Sequence, residues 1–335
     1  MKKSKVVKII TAILLVALLG SFMVACGPKD EGKTSVSEPE KNTSSNEPKE
    51  PEKNTKPIVV TWYPNESSDT HKAVRDEVGR LVEQATGRKV EHKLTTDYTI
   101  TIEAIASGSA DIAIAMGAVG YIEAKDRNPE IDVLFVNSDE NWSLDGAKYF
   151  AWICVPSEEA DQYKSGSTYT IDNIKGKKMS FVSNSSTSGF RVPTSSIISH
   201  FKSDNLSEDM LVEGGPFFSE VYFGGSHQGS AINLLSGNAD VAAFCDIEVQ
   251  AYVDVKSGDI STVGSVITVK KGADAPFDQY VGRDLTIIAV TPVFNGPNVY
   301  NPKNLSKEEV KAIQDLFTSE EVASNKILFY DDKVE

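Results

Sequence analysis

Three kinds of hydrophobic pattern follow one another along the chain. A continuous apolar run from Ile9 to Val24 comes first, and four lysines stand in the eight residues before it. The next segment, 27–56, contains a single sizeable apolar side chain, Val36. From Pro57 onward, short apolar runs alternate with segments whose apolar residues recur every three or four positions, and this alternation predicts strands and amphipathic helices in turn. The pattern therefore predicts an α/β fold that begins near this proline.

The first apolar run is 16 residues long, which suits the h-region of a signal peptide better than a membrane-spanning helix. It ends in small residues directly before Cys26, and this resembles a bacterial lipobox in which that cysteine becomes the lipidated first residue of the mature protein. We predict a signal peptide over residues 1–25 and a lipidated, solvated tether over residues 26–56. An ordinary signal peptide with an incidental cysteine is the alternative.

Two stretches of the folded region resemble each other, residues 101–116 and residues 230–245. In both, a helical pattern stops at Ser-Gly, one polar residue follows, and Ala-Asp leads into a strand of small apolar residues. We interpret them as one supersecondary unit that occurs once in each of two similar α/β lobes. A coincidence between two common helix-to-strand turns is the alternative.

This repeat predicts two lobes with a ligand cleft between them. We place lobe 1 at residues 57–154 and 253–335 and lobe 2 at residues 155–252, so that the chain crosses twice, near Val155 and Tyr252. Ligands of open α/β sheets lie outside the carboxyl ends of the strands. The residues that follow the predicted strands are therefore the candidates for a binding site.

One of these strand ends is rich in hydroxyls: Ser183 to Pro193, which we call the hydroxyl loop, lies between a predicted strand and a predicted helix. Backbone N–H groups at a helix start are unpaired and carry partial positive charge, and serine and threonine side chains add neutral donors. Gly189 permits a close backbone approach. The loop therefore predicts an oxyanion site, and an N-cap without a ligand is the alternative.

Charge and cysteine content narrow the class of protein. The formal net charge is −14, and removal of the four signal lysines lowers it to −18, which excludes nucleic acid as a partner. A bound anion has to be held by local donors instead. Cys154 and Cys245 lie in apolar runs, which favours buried thiols over a metal or redox pair, although a disulfide between them stays open. The sequence predicts no metal and no cofactor.

The hydroxyl loop and two further segments resemble the phosphonate and phosphite family of substrate-binding proteins of ABC importers. The resemblance rests on Ser-Thr-Ser-Gly-Phe followed by Val-Pro, on Gly-Ser-His some forty residues later and on Asp-Tyr before Ile-Glu-Ala. It covers nearly all of residues 57–328 and implies a type II periplasmic-binding-protein-like fold. The ligand-binding residues it implies are Tyr98, Tyr149, Ser186, Thr187, Ser188, His227 and Asp246. Further candidates are Tyr121, Ser185, Glu248 and Asn295.

Some of these residues have other interpretations. His227 could be a satisfied loop histidine, and Tyr149 could belong to the core. One departure from the family pattern concerns the ligand: members that take aminoalkylphosphonates carry an aspartate before a late proline, and here Gly296 stands in that place. The resemblance therefore implies a ligand without an amine, and Asn295 and Asn298 remain available to contact a neutral group.

The implied protein is a monomeric, extracytoplasmic lipoprotein, anchored to the bacterial cell membrane, that delivers a phosphorus oxyanion to an ABC permease and its ATPase. We expect Asp246 to accept a hydrogen bond from a P–OH group, so that a ligand that keeps one proton is preferred. A sensory lipoprotein that presents its ligand to a receptor kinase is one alternative. A hydrolase built on Ser186, His227 and Asp246 is another, but three adjacent hydroxyls without a G-x-S-x-G turn favour binding over catalysis.

Overall fold

The structure is a computed structural model and describes residues 54–67, 69–139, 141–215 and 217–329. The predicted signal peptide, Cys26 and the predicted tether as far as residue 53 lie outside the described residues. Within the described residues, no helix combines the length and the apolar character that a bilayer crossing requires.

The strands and helices alternate in the order that the hydrophobic pattern predicts. The strands are β1 (Ile58–Trp62), β2 (Val90–Leu94), β3 (Ile112–Ala113), β4 (Asp132–Val136), β5 (Lys148–Pro156), β6 (Lys164–Ser165), β7 (Thr168–Tyr169), β8 (Lys178–Phe181), β9 (Glu220–Phe223), β10 (Val241–Cys245), β11 (Val253–Ser257), β12 (Val266–Val269), β13 (Asp284–Phe294) and β14 (Pro297–Tyr300). The α-helices are α1 (Lys72–Thr86), α2 (Tyr98–Ser107), α3 (Ala118–Arg127), α4 (Val192–His200), α5 (His227–Leu235), α6 (Asp246–Val249), α7 (Lys307–Phe317) and α8 (Glu320–Ala323).

Most of these strands form two mixed sheets, and β6 and β7 form a separate ribbon. The first sheet has the order β2-β1-β3-β14-β4, and with its helices we call it lobe 1. The second has the order β11-β12-β13-β5-β10-β8-β9, and with its helices we call it lobe 2. In each sheet three parallel strands, β2-β1-β3 or β9-β8-β10, are followed by one antiparallel strand, β14 or β5. Two similar α/β lobes are thus confirmed.

The repeated Ala-Asp has the same structural role in both lobes. Asp111 accepts a hydrogen bond at Oδ2 from the Val59 N–H, and its own N–H donates to the Val59 carbonyl, both at 2.8 Å. Asp240 makes the same two bonds with Lys178, both at 2.9 Å. Each aspartate therefore ties the residue before its strand to the beginning of the neighbouring parallel strand. The sequence repeat marks one folding unit used twice, as predicted.

Both faces of the sheet in lobe 2 are covered, as a mixed sheet flanked by helices requires. Successive side chains of β5 alternate between two hydrophobic clusters: Ile153 and Val155 pack in one, Trp152 and Cys154 in the other. Cys154 and Cys245 are buried free thiols. Lobe 1 has the same arrangement on a smaller scale, with Val60 and Trp62 of β1 in a cluster that α1 and α7 help to close.

The crossings between the lobes differ from the predicted bounds. The predicted crossing at Val155 lies inside β5, which pairs with β10 and β13 in lobe 2. Tyr252 lies in the lobe 2 core, where its ring stacks on Phe277. The chain instead passes between the sheets in the segment that joins β4 to β5, and at Asn295 and Gly296, between β13 and β14. Pro156 does end a strand, but the chain stays in the same lobe after it.

Candidate functional site

A cavity of about 90 Å³ lies where β3, β8 and β10 end and where the two crossings pass. By the same measure, one water molecule needs about 10–15 Å³, so the cavity holds a group of only a few non-hydrogen atoms. Residues from both lobes line it. Nine of the side chains predicted from the sequence are among them: Tyr98, Tyr149, Ser185, Ser186, Thr187, Ser188, His227, Glu248 and Asn295.

The hydroxyl loop presents its side chains through a distorted helix start. A π-helical turn over Thr187–Arg191 precedes α4, whose second residue is Pro193. Gly189 is packed so closely that an added Cβ would lie 2.2 Å from a methyl carbon of Val182. The close backbone approach expected of this glycine is therefore present, and the turn holds consecutive hydroxyls on the cavity side.

Two of these hydroxyl oxygens already accept a backbone hydrogen bond. Ser186 Oγ accepts from the Gly189 N–H at 3.1 Å, and Thr187 Oγ1 accepts from the Val119 N–H at 3.0 Å. Because a hydroxyl has one proton and two lone pairs, an occupied lone pair leaves the proton free to be donated elsewhere. Ser185, in contrast, donates its proton to Glu123 Oε2 at 3.1 Å. Ser186 and Thr187 are thus oriented as donors, while Ser185 is committed to a side-chain contact.

Three tyrosines supply neutral phenol groups. Tyr63 and Tyr98 stack with their ring centroids 4.2 Å apart, and Asn65 Nδ2 donates to the Tyr98 hydroxyl oxygen at 2.8 Å. Tyr149 is buried and hydrogen-bonds with Ser188. Burial raises the pKa of all three phenols, so they stay protonated at neutral pH.

His227 is fixed in one tautomer. Its Nδ1 accepts a hydrogen bond from the Cys245 N–H at 3.0 Å, so the ring proton of the neutral imidazole lies on Nε2. The side chain is buried, and burial lowers the pKa of His227 to about 3. The residue therefore carries one uncharged N–H at its Nε2 atom across the physiological pH range, and this atom lies 3.8 Å from Cys245 Sγ, a weak acceptor.

Asp246 and Tyr121 do not line the cavity. Asp246 Oδ1 accepts from the Phe150 N–H at 2.9 Å and so joins the start of α6 to β5. One oxygen of the Asp246 carboxylate is thus engaged by the backbone, and the role predicted for it at the ligand stays a prediction. Glu248, two residues later, lines the cavity instead. Tyr121 packs beside the lobe 1 core, with Lys125 over its ring.

Glu248 forms a carboxyl pair with Glu66, which lies in the 3₁₀ turn Pro64–Ser67 that follows the lobe 1 strand β1. Burial raises the pKa of Glu248 to about 7, while a hydrogen bond with Glu66 counteracts this rise. The pKa of Glu66 is raised well above its ordinary value, first by burial and then by the charge of Glu248. Because like charges at close range cannot both ionise easily, the pair keeps a proton near neutrality. We assign that proton to Glu66, which donates it to Glu248.

The charge balance of the cavity follows from these groups. Its lining, within the described residues, includes no lysine and no arginine. Neutral hydroxyl, phenol and imidazole donors face the cavity together with one acidic side chain, Glu248. Such a set can donate several hydrogen bonds to an oxyanion, and it can accept one hydrogen bond from a ligand that carries a proton.

Several polar residues of the cavity lie outside the predicted set: Tyr63, Asn65, Asn137 and Cys245. Asn65 is the most connected of them, because its side chain joins Tyr98 of its own lobe to His227 of the other. It follows β1, and the rule that ligands lie beyond strand ends could have identified it. Asn298, which the sequence leaves available for a neutral group, also lines the cavity, and its side chain bonds to the backbone at Ala115 and Phe135.

Asn295 is placed by the short crossing between the lobes. Its N–H donates to the Ala147 carbonyl and its Nδ2 to the Asn137 carbonyl, both at 3.0 Å. Gly296 is packed against lobe 1, since an added Cβ would lie 2.7 Å from the Met116 carbonyl oxygen and 2.9 Å from the Gly117 Cα. No side chain fits at Gly296 without a backbone shift, so this wall of the cavity carries no carboxylate.

The model of a family described as the phosphonate periplasmic substrate-binding protein of ABC transporters matches residues 60–329. The phosphate-import protein PhnD of Mycolicibacterium smegmatis is 28% identical over 262 residues, which cover 76% of this chain and 72% of that protein.

Two solved structures share the fold. A binding protein component of an ABC phosphonate transporter from Pseudomonas aeruginosa superposes with a TM-score of 0.57 at 19% identity, over 78% of this chain and 74% of that one. PhnD1 from Prochlorococcus marinus, solved in complex with methylphosphonate, gives a TM-score of 0.54 at 13% identity, over 79% and 84% of the two chains. The two-lobed arrangement is therefore that of the periplasmic binding proteins.

Proposed function

The chain belongs to the phosphonate family of periplasmic substrate-binding proteins of ABC transporters, and from this membership we propose that it captures a small phosphorus oxyanion that carries one proton. Methylphosphonate, phosphite and hydrogen phosphate are the ligands of this class. The observation that carries the proposal is the combination of neutral donors and one acidic side chain around a cavity of about 90 Å³.

The donor set supports an anionic ligand. Ser186, Thr187 and the Nε2 atom of His227 each have a proton to donate. Helices α3 and α5 and the π-helical turn of the hydroxyl loop also begin at the cavity, so the positive ends of their dipoles face a bound anion. Hydrogen bonds to a charged group contribute roughly 1.5–3 kcal/mol each. Several such bonds, less the free energy lost on association, correspond to a dissociation constant in the micromolar range or below.

The acidic side chain supports a ligand with a proton. Glu248 accepts from Glu66 and has a further lone pair for a P–OH group, whereas it repels a fully deprotonated anion. The size of the cavity and the packed wall at Gly296 support a ligand without a long aminoalkyl substituent. We therefore propose Glu248, in place of Asp246, as the acceptor of the hydrogen bond from the P–OH group.

A calorimetric screen tests this function directly. We expect methylphosphonate, phosphite and phosphate to bind, and sulfate, which has no proton near neutrality, to bind at least tenfold more weakly than the best of them. We also expect 2-aminoethylphosphonate to bind more weakly than methylphosphonate. Equal affinity for sulfate would contradict the proposed role of the acidic pair, and no binding of any phosphorus oxyanion would overturn the function itself.

The contacts of His227 argue against a hydrolase. In a Ser-His-Asp triad a carboxylate accepts the Nδ1–H of the histidine, so that Nε2 can remove the proton of the serine. Here Nδ1 accepts from the Cys245 N–H, and Asp246 accepts from the Phe150 N–H. Binding without chemistry is therefore the activity we propose.

Transport and anchoring complete the proposal. As a member of this family, the protein is expected to act as a monomer outside the cytoplasm and to deliver its ligand to an ABC permease and its ATPase.

Replacement of Cys26 by serine should release the protein from the membrane or leave it unprocessed, because the thiol is the proposed site of lipidation. Cell fractionation and gel mobility measure this, and an unchanged membrane fraction with unchanged mobility would contradict lipidation.

A further inference from the structure

Helix α3 begins without a cap from its own lobe. Its N-cap residue is Gly117, which has no side chain to accept a hydrogen bond. The N–H of Val119, two residues later, donates instead to Thr187 Oγ1 at 3.0 Å, and Thr187 belongs to the hydroxyl loop of lobe 2. Lobe 2 therefore supplies the cap of a lobe 1 helix.

Helix α5 shows the reverse arrangement. Ser226 caps the helix in the usual way, by accepting from the Gly229 N–H at 2.9 Å. The N–H of His227, the first helical residue, donates to Asn65 Oδ1 at 3.1 Å, and Asn65 belongs to lobe 1. A second contact accompanies the first, since Gln228 Nε2 donates to the Asn65 carbonyl at 3.4 Å. Lobe 1 therefore satisfies a donor of a lobe 2 helix.

Gly117 and Thr187 pack closely enough for this contact between the lobes. An added Cβ at Gly117 would lie 2.8 Å from Thr187 Oγ1. The backbone of Gly117 has a φ of −54°, which any residue adopts, so the glycine is required by the approach of the threonine and not by its conformation. Near the same place, the Ser185 hydroxyl donates to Glu123 of α3.

We propose that Asn65 and Thr187 are positioning residues that exchange helix caps across the cleft, so that the closure of the lobes and the assembly of the donor set are one event. When the lobes separate, both caps are lost together, because each joins one lobe to the other. When they close, Thr187 is left with a free proton for the cavity, and Asn65 holds the Tyr98 oxygen and the start of α5. For its consequence on the ligand, this inference rests on the proposed function. The exchange of caps itself does not.

Amide hydrogen exchange tests the inference in the protein without added ligand. The amides of Val119 and His227 report the two caps, and we expect both to be protected in the wild-type protein. Thr187→Val removes one acceptor with little change of shape, and Asn65→Ala removes the other. Each variant should accelerate exchange at both helix starts by about twofold to thirtyfold, the range that corresponds to the loss of one cap.

The effect on the opposite helix is the decisive result. If Thr187→Val accelerates exchange only at Val119, and Asn65→Ala only at His227, the caps are independent and the proposal is overturned. It is also overturned if neither amide is protected in the wild-type protein. Ser306→Ala is the matched control, because Ser306 caps α7 within lobe 1, and there only the α7 amides should exchange faster.

Two further variants guard against a general loss of structure. Thr187→Ser keeps the hydroxyl and Asn65→Asp keeps an Oδ acceptor, so both should restore protection at the helix start of the other lobe. Failure of both to do so would contradict capping as the cause. Calorimetry with methylphosphonate is a separate measurement: if no oxyanion binds, the proposed function fails, whereas the exchange result stands unchanged.

Discussion

Replacement of His227 by asparagine should weaken the binding of methylphosphonate by about tenfold to 150-fold and leave the free energy of unfolding nearly unchanged. Asparagine places an acceptor close to where Nδ1 lies, so the Cys245 N–H keeps its partner, but it has no group at the position of Nε2. The lost bond is one neutral donor to a charged oxygen, which contributes roughly 1.5–3 kcal/mol. Calorimetry and denaturant unfolding measure the two quantities separately.

Replacement of His227 by glutamine should instead lower the stability and weaken binding only slightly. Glutamine keeps a donor near the position of Nε2 but leaves the Cys245 N–H buried without a partner, which costs roughly 1–3 kcal/mol of stability. The affinity should then fall less than in the asparagine variant. Equal affinities of the two variants would show that the Nε2 proton does not contact the ligand.

The pH dependence of stability gives an independent check on His227. Its pKa in the folded protein, about 3, lies below the ordinary value of 6.5, so the unfolded chain takes up a proton between these values and the folded protein does not. The contribution of His227 is therefore fully present above pH 6.5 and is lost as the pH falls toward 3. A stability that is independent of this residue over that range would contradict a buried, neutral imidazole.

Replacement of Glu248 by glutamine should change the pH profile of binding and admit sulfate. In the wild-type protein the pKa values of Glu66 and Glu248 are raised, so the closed form holds a proton that the hydrated carboxyls of an open form would release. The stabilising contribution of the pair is thus present at low pH and lost as the pH rises from about 4.5 through about 7. Affinity should fall over this range, by at most about tenfold per pH unit for each proton taken up.

Glutamine at this position does not titrate, and its amide can donate to an oxygen that carries no proton. The affinity of Glu248→Gln for methylphosphonate should therefore fall less steeply with rising pH, and its affinity for sulfate should increase at least tenfold. Calorimetry in buffers of different ionisation enthalpy should also show fewer protons taken up on binding. Asp246→Asn is the companion variant: its carboxyl lies outside the cavity lining, but burial raises the pKa of Asp246 to about 6 and its charge raises the pKa of Glu248. It should therefore shift the wild-type profile to lower pH without flattening it. If the Glu248→Gln profile matches the wild-type profile, Glu248 does not sense the proton of the ligand.

Short sequence segments specify much of the fold, and the sequence predicts it for this reason. The repeated Ser-Gly and Ala-Asp segments specify a helix end and a strand start within a few residues, and Asp111 and Asp240 make matching bonds in the two lobes. The hydroxyl loop is equally local, since its hydroxyls and Gly189 follow one strand. The sequence alone therefore places Ser186, Thr187 and Ser188 together on one loop.

The crossings and the acidic residue depend on contacts between distant parts of the chain. Strand β5 pairs with β10 and β13, which follow it by about 90 and 130 residues, and no local pattern reveals that it is inserted between them. Asp246 and Glu248 both follow the same strand, and the contact that distinguishes them, from the Phe150 N–H to Asp246 Oδ1, joins residues 96 positions apart. Asn65 has no motif of its own, because its role consists of partners in both lobes.

The short crossing at Asn295 and Gly296 determines how the lobes can move. The Cα atoms of Phe294 and Pro297, which end β13 and begin β14, can lie at most roughly 11 Å apart, so the two strands cannot slide far apart at this edge, and the motion that remains is a rotation about it. In a rotation, each point moves in proportion to its distance from the axis, so the rim farthest from Gly296 travels most while the residues beside the glycine act as a pivot. The ligand is therefore expected to enter and leave through that far rim, and substitutions beside the pivot should change the angle of opening.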